Sequence, residues 1–217
     1  MSKVTILVPH RSEFDYRSWR DWFKGQLQCP PGTEFQEARG MALCTLRTAL
    51  VENGLKSGAE WLFFVDDDVI GPNEGLLTLL AAAEQNKWKF MSGLYWARKN
   101  QKDRSLSAWR LFKQKAGNEA WAPDRTVPSA ISDKQDGRFV SVEAVGLGFA
   151  LIHRSVFEKL SRPWFDWPVA GPSEDFYFCE KVAKELNITP VVDMEIKCGH
   201  IGTFIILPDG SFDMLNL

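Results

Sequence analysis

Trp61-Leu62-Phe63-Phe64-Val65-Asp66-Asp67-Asp68-Val69-Ile70 is the stretch whose reading decides the fold. Five apolar residues, mostly aromatic or β-branched, predict a strand buried on both faces. Three consecutive carboxylates follow where that strand should end. Adjacent anions repel, and packing them beside a core is costly unless a cation or strong donors offset the charge. A hard divalent ion such as Mg2+ or Mn2+ is the simplest counterpart. It takes carboxylate oxygens and carries substrate phosphates on its open positions. A solvated acidic turn, which Val69-Ile70-Gly71-Pro72-Asn73 would permit, is the competing reading, since charge runs usually face solvent. The position at the carboxyl end of a buried strand, where open α/β sheets bind ligands, favours the ion.

Upstream, Val4 to Val8 predicts another buried strand, stopped by Pro9. His10, Arg11, Ser12 and Glu13 follow as a polar loop, either an ordinary strand exit or a nucleotide contact. From Glu37 to Asn53 the apolar residues trace a helical stripe, with Gly54 as the expected stop. Arg39 falls near the expected helix start, where the dipole disfavours a cation. An anionic partner or simple solvent exposure would account for it equally. Asn73 is expected to cap a helix through about Gln85, and Phe90 to Tyr95 reads as a strand. This β-α-β-α-β order predicts an α/β fold with a mostly parallel central sheet flanked by helices.

Residues 97–138 break the pattern and read as an irregular insertion, locally basic and interspersed with Trp96, Trp109 and Trp121. It suits an anionic or aromatic acceptor, or equally a solvated excursion over one sheet edge. Phe139 to Val142 and the segment after Gly146-Leu147-Gly148 predict strands, and Ser155 to Leu160 a short helix. The Gly-x-Gly precedes a strand instead of opening a helix, so no dinucleotide fingerprint is supported. A helix is expected from Ser173 to about Asn187, with Glu174 and Asp175 in its first turn, where the dipole favours carboxylates on structural grounds alone. Ile188 to Val192 and Glu195 to Cys198 read as late strands leading to Gly199-His200-Ile201-Gly202. A single His is more often structural than a ligand, yet His200 between glycines is well placed to reach a metal.

The composition fits one soluble domain over 1–217: 45% hydrophobic and 25% charged residues exclude a disordered chain. A net charge of -2 gives no global pull toward nucleic acid or acidic membranes. Cys29, Cys44, Cys179 and Cys198 lack CxxC spacing, and Cys44 and Cys179 are expected to be buried thiols. No signal peptide is recognisable and no run approaches the ~18 apolar residues of a transmembrane segment, so the expected location is cytoplasmic.

Taken in order, the Val8-Pro9 strand end, Arg39, Asp66-Asp67-Asp68, Gly146-Leu147-Gly148-Phe149, Ser173-Glu174-Asp175-Phe176 and Gly199-His200-Ile201-Gly202 resemble the metal-dependent glycosyltransferases of the GT-A (Rossmann-like) fold, close to the family-2-like group. The resemblance spans the chain apart from the insertion and the final tail. It implies a nucleotide-binding half at 1–96 and an acceptor and catalytic half at 139–217. It further implies an Asp-x-Asp motif in which Asp66 contacts the nucleotide and Asp68, with Asp66 and His200, holds Mn2+ or Mg2+, Asp67 being secondary. Pro9, His10, Arg11 and Arg39 would line the nucleotide-sugar pocket, and Gly146 and Gly148 would lie beside the donor sugar and acceptor. Asp175 would be the catalytic base of an inverting enzyme, with Glu174 as a sugar or acceptor contact. The implied partners are a nucleoside-diphosphate sugar donor and an acceptor that no motif identifies, whether saccharide, protein, lipid, small metabolite or nucleic acid. A sugar nucleotidyltransferase is an alternative, but His10-Arg11-Ser12-Glu13-Phe14 is not the Gly-rich basic loop it would carry. A non-catalytic nucleotide- or carbohydrate-binding domain would have little use for the three acidic and His motifs together.

Overall fold

A computed structural model describes residues 2–10, 17–97, 105–113, 119–123, 137–167, 173–201, 204–206 and 212–214. Its first half runs β1 (Val4–Pro9), α1 (Arg17–Gly25), β2 (Glu34–Ala38), α2 (Leu43–Lys56), β3 (Trp61–Val65), β4 (Val69–Ile70), α3 (Gly75–Asn86) and β5 (Phe90–Ala97). Three short strands follow: β6 (Ser105–Leu106), β7 (Ala108–Lys113) and β8 (Glu119–Pro123). The remainder is β9 (Phe139–Ser141), β10 (Ala144–Val145), β11 (Phe149–His153), α4 (Arg154–Lys159), α5 (Glu174–Leu186), β12 (Val191–His200), β13 (Phe204–Ile206) and β14 (Phe212–Met214).

The apolar runs form the middle of the sheet, as their lack of alternation requires. Along β3, Leu62 and Phe64 point into one core, while Trp61, Phe63 and Val65 point into the other. Leu7 of β1 joins the first, and Val4, Ile6 and Val8 the second. Helices α2, α4 and α5 cover the first face through Leu50, Val51, Phe157 and Phe178. Helices α1 and α3 cover the second through Trp19, Trp22, Phe23, Leu76 and Leu79. Each large apolar side chain buried in this way contributes about 1.5–3 kcal/mol relative to exposure. The result is an α/β fold of three layers.

The sheet order is β14-β13-β12-β5-β11-β3-β1-β2. β2, β1, β3, β5 and β12 all run the same way, and β11 is inserted antiparallel between β3 and β5. The carboxyl ends of β1, β3 and β12 and the amino end of β11 therefore lie along one edge. No helix among the described residues is long and apolar enough to cross a membrane.

Several boundaries differ from the sequence reading. The helix expected from Glu37 begins at Leu43, because Glu34–Ala38 pairs parallel with β1 as a strand. Gly54 does not stop α2, which continues to Lys56. Its missing side chain instead lets the helix approach β3, where a Cβ would meet Leu62 Cδ2 at 2.7 Å. Asn73 makes no cap: α3 starts behind Glu74, and the Asn73 carbonyl accepts from the Gln28 amide at 2.8 Å. The described parts of 97–138 contain β6, β7 and β8 where irregular chain is expected, with β7 also pairing β10. The two expected late strands are one, β12, with an irregularity between Val192 and Lys197. Helix α1 escaped the sequence reading altogether. Cys179 is buried as expected, whereas Cys44 is only partly so.

Candidate active site at the carboxyl ends of the central strands

The three aspartates leave β3 into a tight turn pinned on both sides by backbone. The Asp66 amide donates to the Gly148 carbonyl at 3.1 Å, and the Ile201 amide to the Asp68 carbonyl at 2.7 Å. β4 then pairs back onto the end of β12, setting Val69 opposite His200. Asp66, Asp67 and Asp68 are 6%, 3% and 5% exposed. Such burial excludes the solvated acidic turn.

Each carboxylate has its own neighbour. Asp66 receives the Arg47 guanidinium, Nη2 lying 3.1 Å from Oδ1 and 3.3 Å from Oδ2. Nε of the same Arg47 reaches Glu174 Oε1 at 3.2 Å. Arg47 comes from the buried face of α2 and lies over the Phe64 ring. Its third nitrogen, Nη1, is buried with no hydrogen-bond partner among the described residues. Asp67 Oδ2 lies 3.2 Å from His10 Nδ1, whose Nε2 is 3.3 Å from Glu37 Oε2. Asp68 Oδ1 faces His200 Nε2 at 3.5 Å, and His200 Nδ1 donates to the Trp96 carbonyl at 2.7 Å.

These contacts set the electrostatics. Burial opposes the Arg47 charge, but Asp66, then Asp175 and Glu174, outweigh it and hold the guanidinium firmly protonated. Burial and the adjacent Glu174 carboxylate push the Asp175 carboxyl well above the usual range. Burial also works against a charged Glu174, but the Asp175 hydrogen bond and Arg47 prevail and lower its pKa. The pair is thus differentiated: Glu174 ionised and pinned, Asp175 inclined to hold a proton.

The two glycines of Gly146-Leu147-Gly148 make room for a side chain. A Cβ at Gly146 would lie 2.2 Å from Tyr95 Oη, and one at Gly148 2.8 Å from it. The Gly148 amide donates to that hydroxyl at 3.0 Å, and the Tyr95 ring packs edge-on against His200, centroids 5.4 Å apart. Gly146→Ala is therefore expected to cost about 1–3 kcal/mol by overpacking. Tyr95→Phe alone should cost about 1–3 kcal/mol by stranding a buried amide. The double variant should cost less than the sum, because the second change relieves the first. Urea denaturation of the four proteins checks this, and strict additivity would refute the contact.

The structure thus brings His10, Asp66, Asp67, Asp68, Gly148, Glu174 and His200 to one edge, with Pro9 ending β1 opposite Ala38. Arg39 is exposed in the turn after β2 and not at a helix start, because the helix begins later. Arg11 lies outside the described residues. No group of three or more His, Cys, Asp or Glu among the described residues is gathered closely enough to hold a metal ion. Asp66 is engaged by Arg47, Asp67 by His10 at 3.2 Å, and Asp68 faces His200 at 3.5 Å. Arg47 is the residue that the sequence reading missed.

This architecture matches solved structures. A197 from STIV is similar over 100% of this chain and 95% of its own, at 18% identity and a TM-score of 0.69. GalNAc-T7, crystallised with UDP, GalNAc and Mn2+, is similar over 93% of this chain at 11% identity and a TM-score of 0.56. The chain spans 44% of that protein's length. The fold is accordingly α/β of the GT-A kind. No protein-family model and no curated protein sequence matches the chain.

Proposed function

We propose that this chain moves a sugar from a nucleoside-diphosphate sugar to an acceptor hydroxyl, with a divalent ion held at Asp68 and His200. The observation that carries this reading is the burial of three adjacent carboxylates at the ligand-binding edge of a GT-A fold. The donor set fits a hard cation. With Nδ1 donating to the Trp96 carbonyl, His200 turns Nε2 toward Asp68 Oδ1. An imidazole nitrogen and a carboxylate oxygen set that close could bind one ion, whose remaining positions a diphosphate and water would fill. Mn2+ or Mg2+ there would stabilise the charge growing on a departing diphosphate.

The chain's own residues do the rest. Arg47 holds Asp66 in place toward the nucleotide, and its unpaired Nη1 is a ready donor for a ligand oxygen. His10 steadies Asp67, while Pro9, Arg39, Gly146 and Gly148 border the nucleotide sugar. Asp175 takes the acceptor proton, a task that its raised pKa suits. Glu174, fixed by Arg47, orients Asp175 and the sugar.

UDP, the nucleotide bound by GalNAc-T7, is the first probe, followed by GDP and other diphosphates. Ligand at a hundred times its dissociation constant stabilises the native state by about 2.7 kcal/mol. For a chain of this length that is a Tm rise of roughly 5–10 °C. The rise should require Mn2+ or Mg2+ and vanish in Asp68→Ala. Absence of any metal-dependent shift across the diphosphates would overturn the metal site.

A further inference from the structure

At the opposite edge of the sheet, where β5 and β12 begin, lies a second pocket of about 390 Å³. It is lined by Trp88 and Lys89 ahead of β5, Phe139 and Ser141 of β9, and Asn187 to Thr189 ahead of β12. Val191 of the pocket and Cys198 near His200 pair with Met91 and Tyr95 of β5, four residues apart. At about 3.3 Å per residue, with two more residues to His200, that is a separation of roughly 20 Å, so the pocket is distinct from the aspartate site.

Two helix ends form part of its lining. Lys87 (φ 59°) and Asn187 (φ 54°) are the non-glycine residues with left-handed backbone among those described, and both line this pocket. Both close helices, Lys87 ending α3 and Asn187 ending α5, and their amides cap carbonyls of the last turn. Trp88 packs edge-on against Phe139 at 4.9 Å, and the Ser141 and Thr189 hydroxyls hydrogen-bond at 2.9 Å.

The pocket's cations already have structural explanations. Lys87 stands at the C-terminus of α3, where the helix dipole favours a positive charge. Lys89 Nζ lies 5.9 Å from the Trp61 ring. A strongly anionic ligand is therefore not called for. What remains is two half-buried aromatic rings, a carboxamide, and two exposed hydroxyls bonded to each other with donor and acceptor capacity to spare. Rings cover the apolar face of a pyranose, and the polar groups exchange hydrogen bonds with its hydroxyls.

We propose that this pocket is a non-catalytic saccharide-binding site, a hold for glycan remote from the aspartates. It stands independently of the transferase reading. The test follows the Trp88 indole N–H signal by NMR, identified from its loss in Trp88→Phe, during titration with glucose, galactose, mannose, N-acetylglucosamine or N-acetylgalactosamine. A saturable shift with at least one sugar is expected. Asn187→Gly suits the left-handed backbone, so it keeps the fold while removing the carboxamide. It should weaken that binding about tenfold, as loss of roughly 1.4 kcal/mol of hydrogen bonding implies. Asp68→Ala should leave it unchanged. No shift with any sugar, or a shift with inorganic phosphate instead, would overturn the proposal whatever the result at the aspartate site.

Discussion

Arg47→Met is expected to destabilise the protein by about 3–5 kcal/mol, the cost of breaking a buried ion pair from one side. Methionine fills much of the same volume, so the loss is electrostatic. Asp66 and Glu174, 6% and 2% exposed, would be left facing each other without the guanidinium between them. In urea the midpoint should fall at constant slope. The triple variant Arg47→Met, Asp66→Asn, Glu174→Gln removes the stranded charges and should recover most of the loss. If Arg47→Met is as stable as the parent, the cluster is not the charge centre described above. If the triple variant is no better than the single one, shape and not charge is what Arg47 supplies. A buried ion pair seldom earns its place through stability, since well-packed apolar residues do as well. A cation held between Asp66 of the β3 turn and Glu174 of the α5 start therefore argues for a positioning role.

The residues that made the fold legible were those whose burial is set by one strand's own pattern. Val4 to Val8 and Trp61 to Val65 are apolar without alternation, and a strand covered on both faces is the arrangement that such runs favour. β2 was illegible because Glu-Phe-Gln-Glu-Ala carries little strand signal: it is an edge strand formed by pairing with β1, a contact remote in sequence. Helix α1 was legible and unread, since Trp19, Trp22 and Phe23 recur at helical spacing. The aspartates were visible as a motif, but their partners came from α2 and β12, brought close only by the fold. Arg47 left one trace. It sits among Leu46, Leu50 and Val51 on the buried face of α2, a charge on an apolar stripe. A cation there needs an anion from another element, and the buried Asp66-Asp67-Asp68 run is the acidic cluster that supplies one.

Asp175→Asn should separate catalysis from stability in opposite directions. The carboxamide can still donate to Glu174, so the local hydrogen bond survives while the proton-accepting group is lost. Turnover of the donor that the diphosphate screen identifies should fall by about 10²–10⁴, the usual worth of a general base. Stability should rise. Burial and Glu174 raise the folded-state pKa of Asp175, so the native state holds this proton more tightly than the unfolded chain does. The contribution is present below the unfolded value and is lost as pH climbs through the raised one. Above that pH the native state carries a desolvated carboxylate beside another, and the Asn variant does not. A gain of about 0.5–2 kcal/mol near neutral pH is expected, shrinking toward acid. In the parent, the same deprotonation makes the base, so kcat/KM should rise with pH and level off above the raised pKa. Glu174→Gln removes the neighbouring charge that contributes to the shift, and the rising limb should move to lower pH. Should Asp175→Asn keep its turnover while Glu174→Gln abolishes it, the roles are reversed, and the carboxylate pinned by Arg47 is the base.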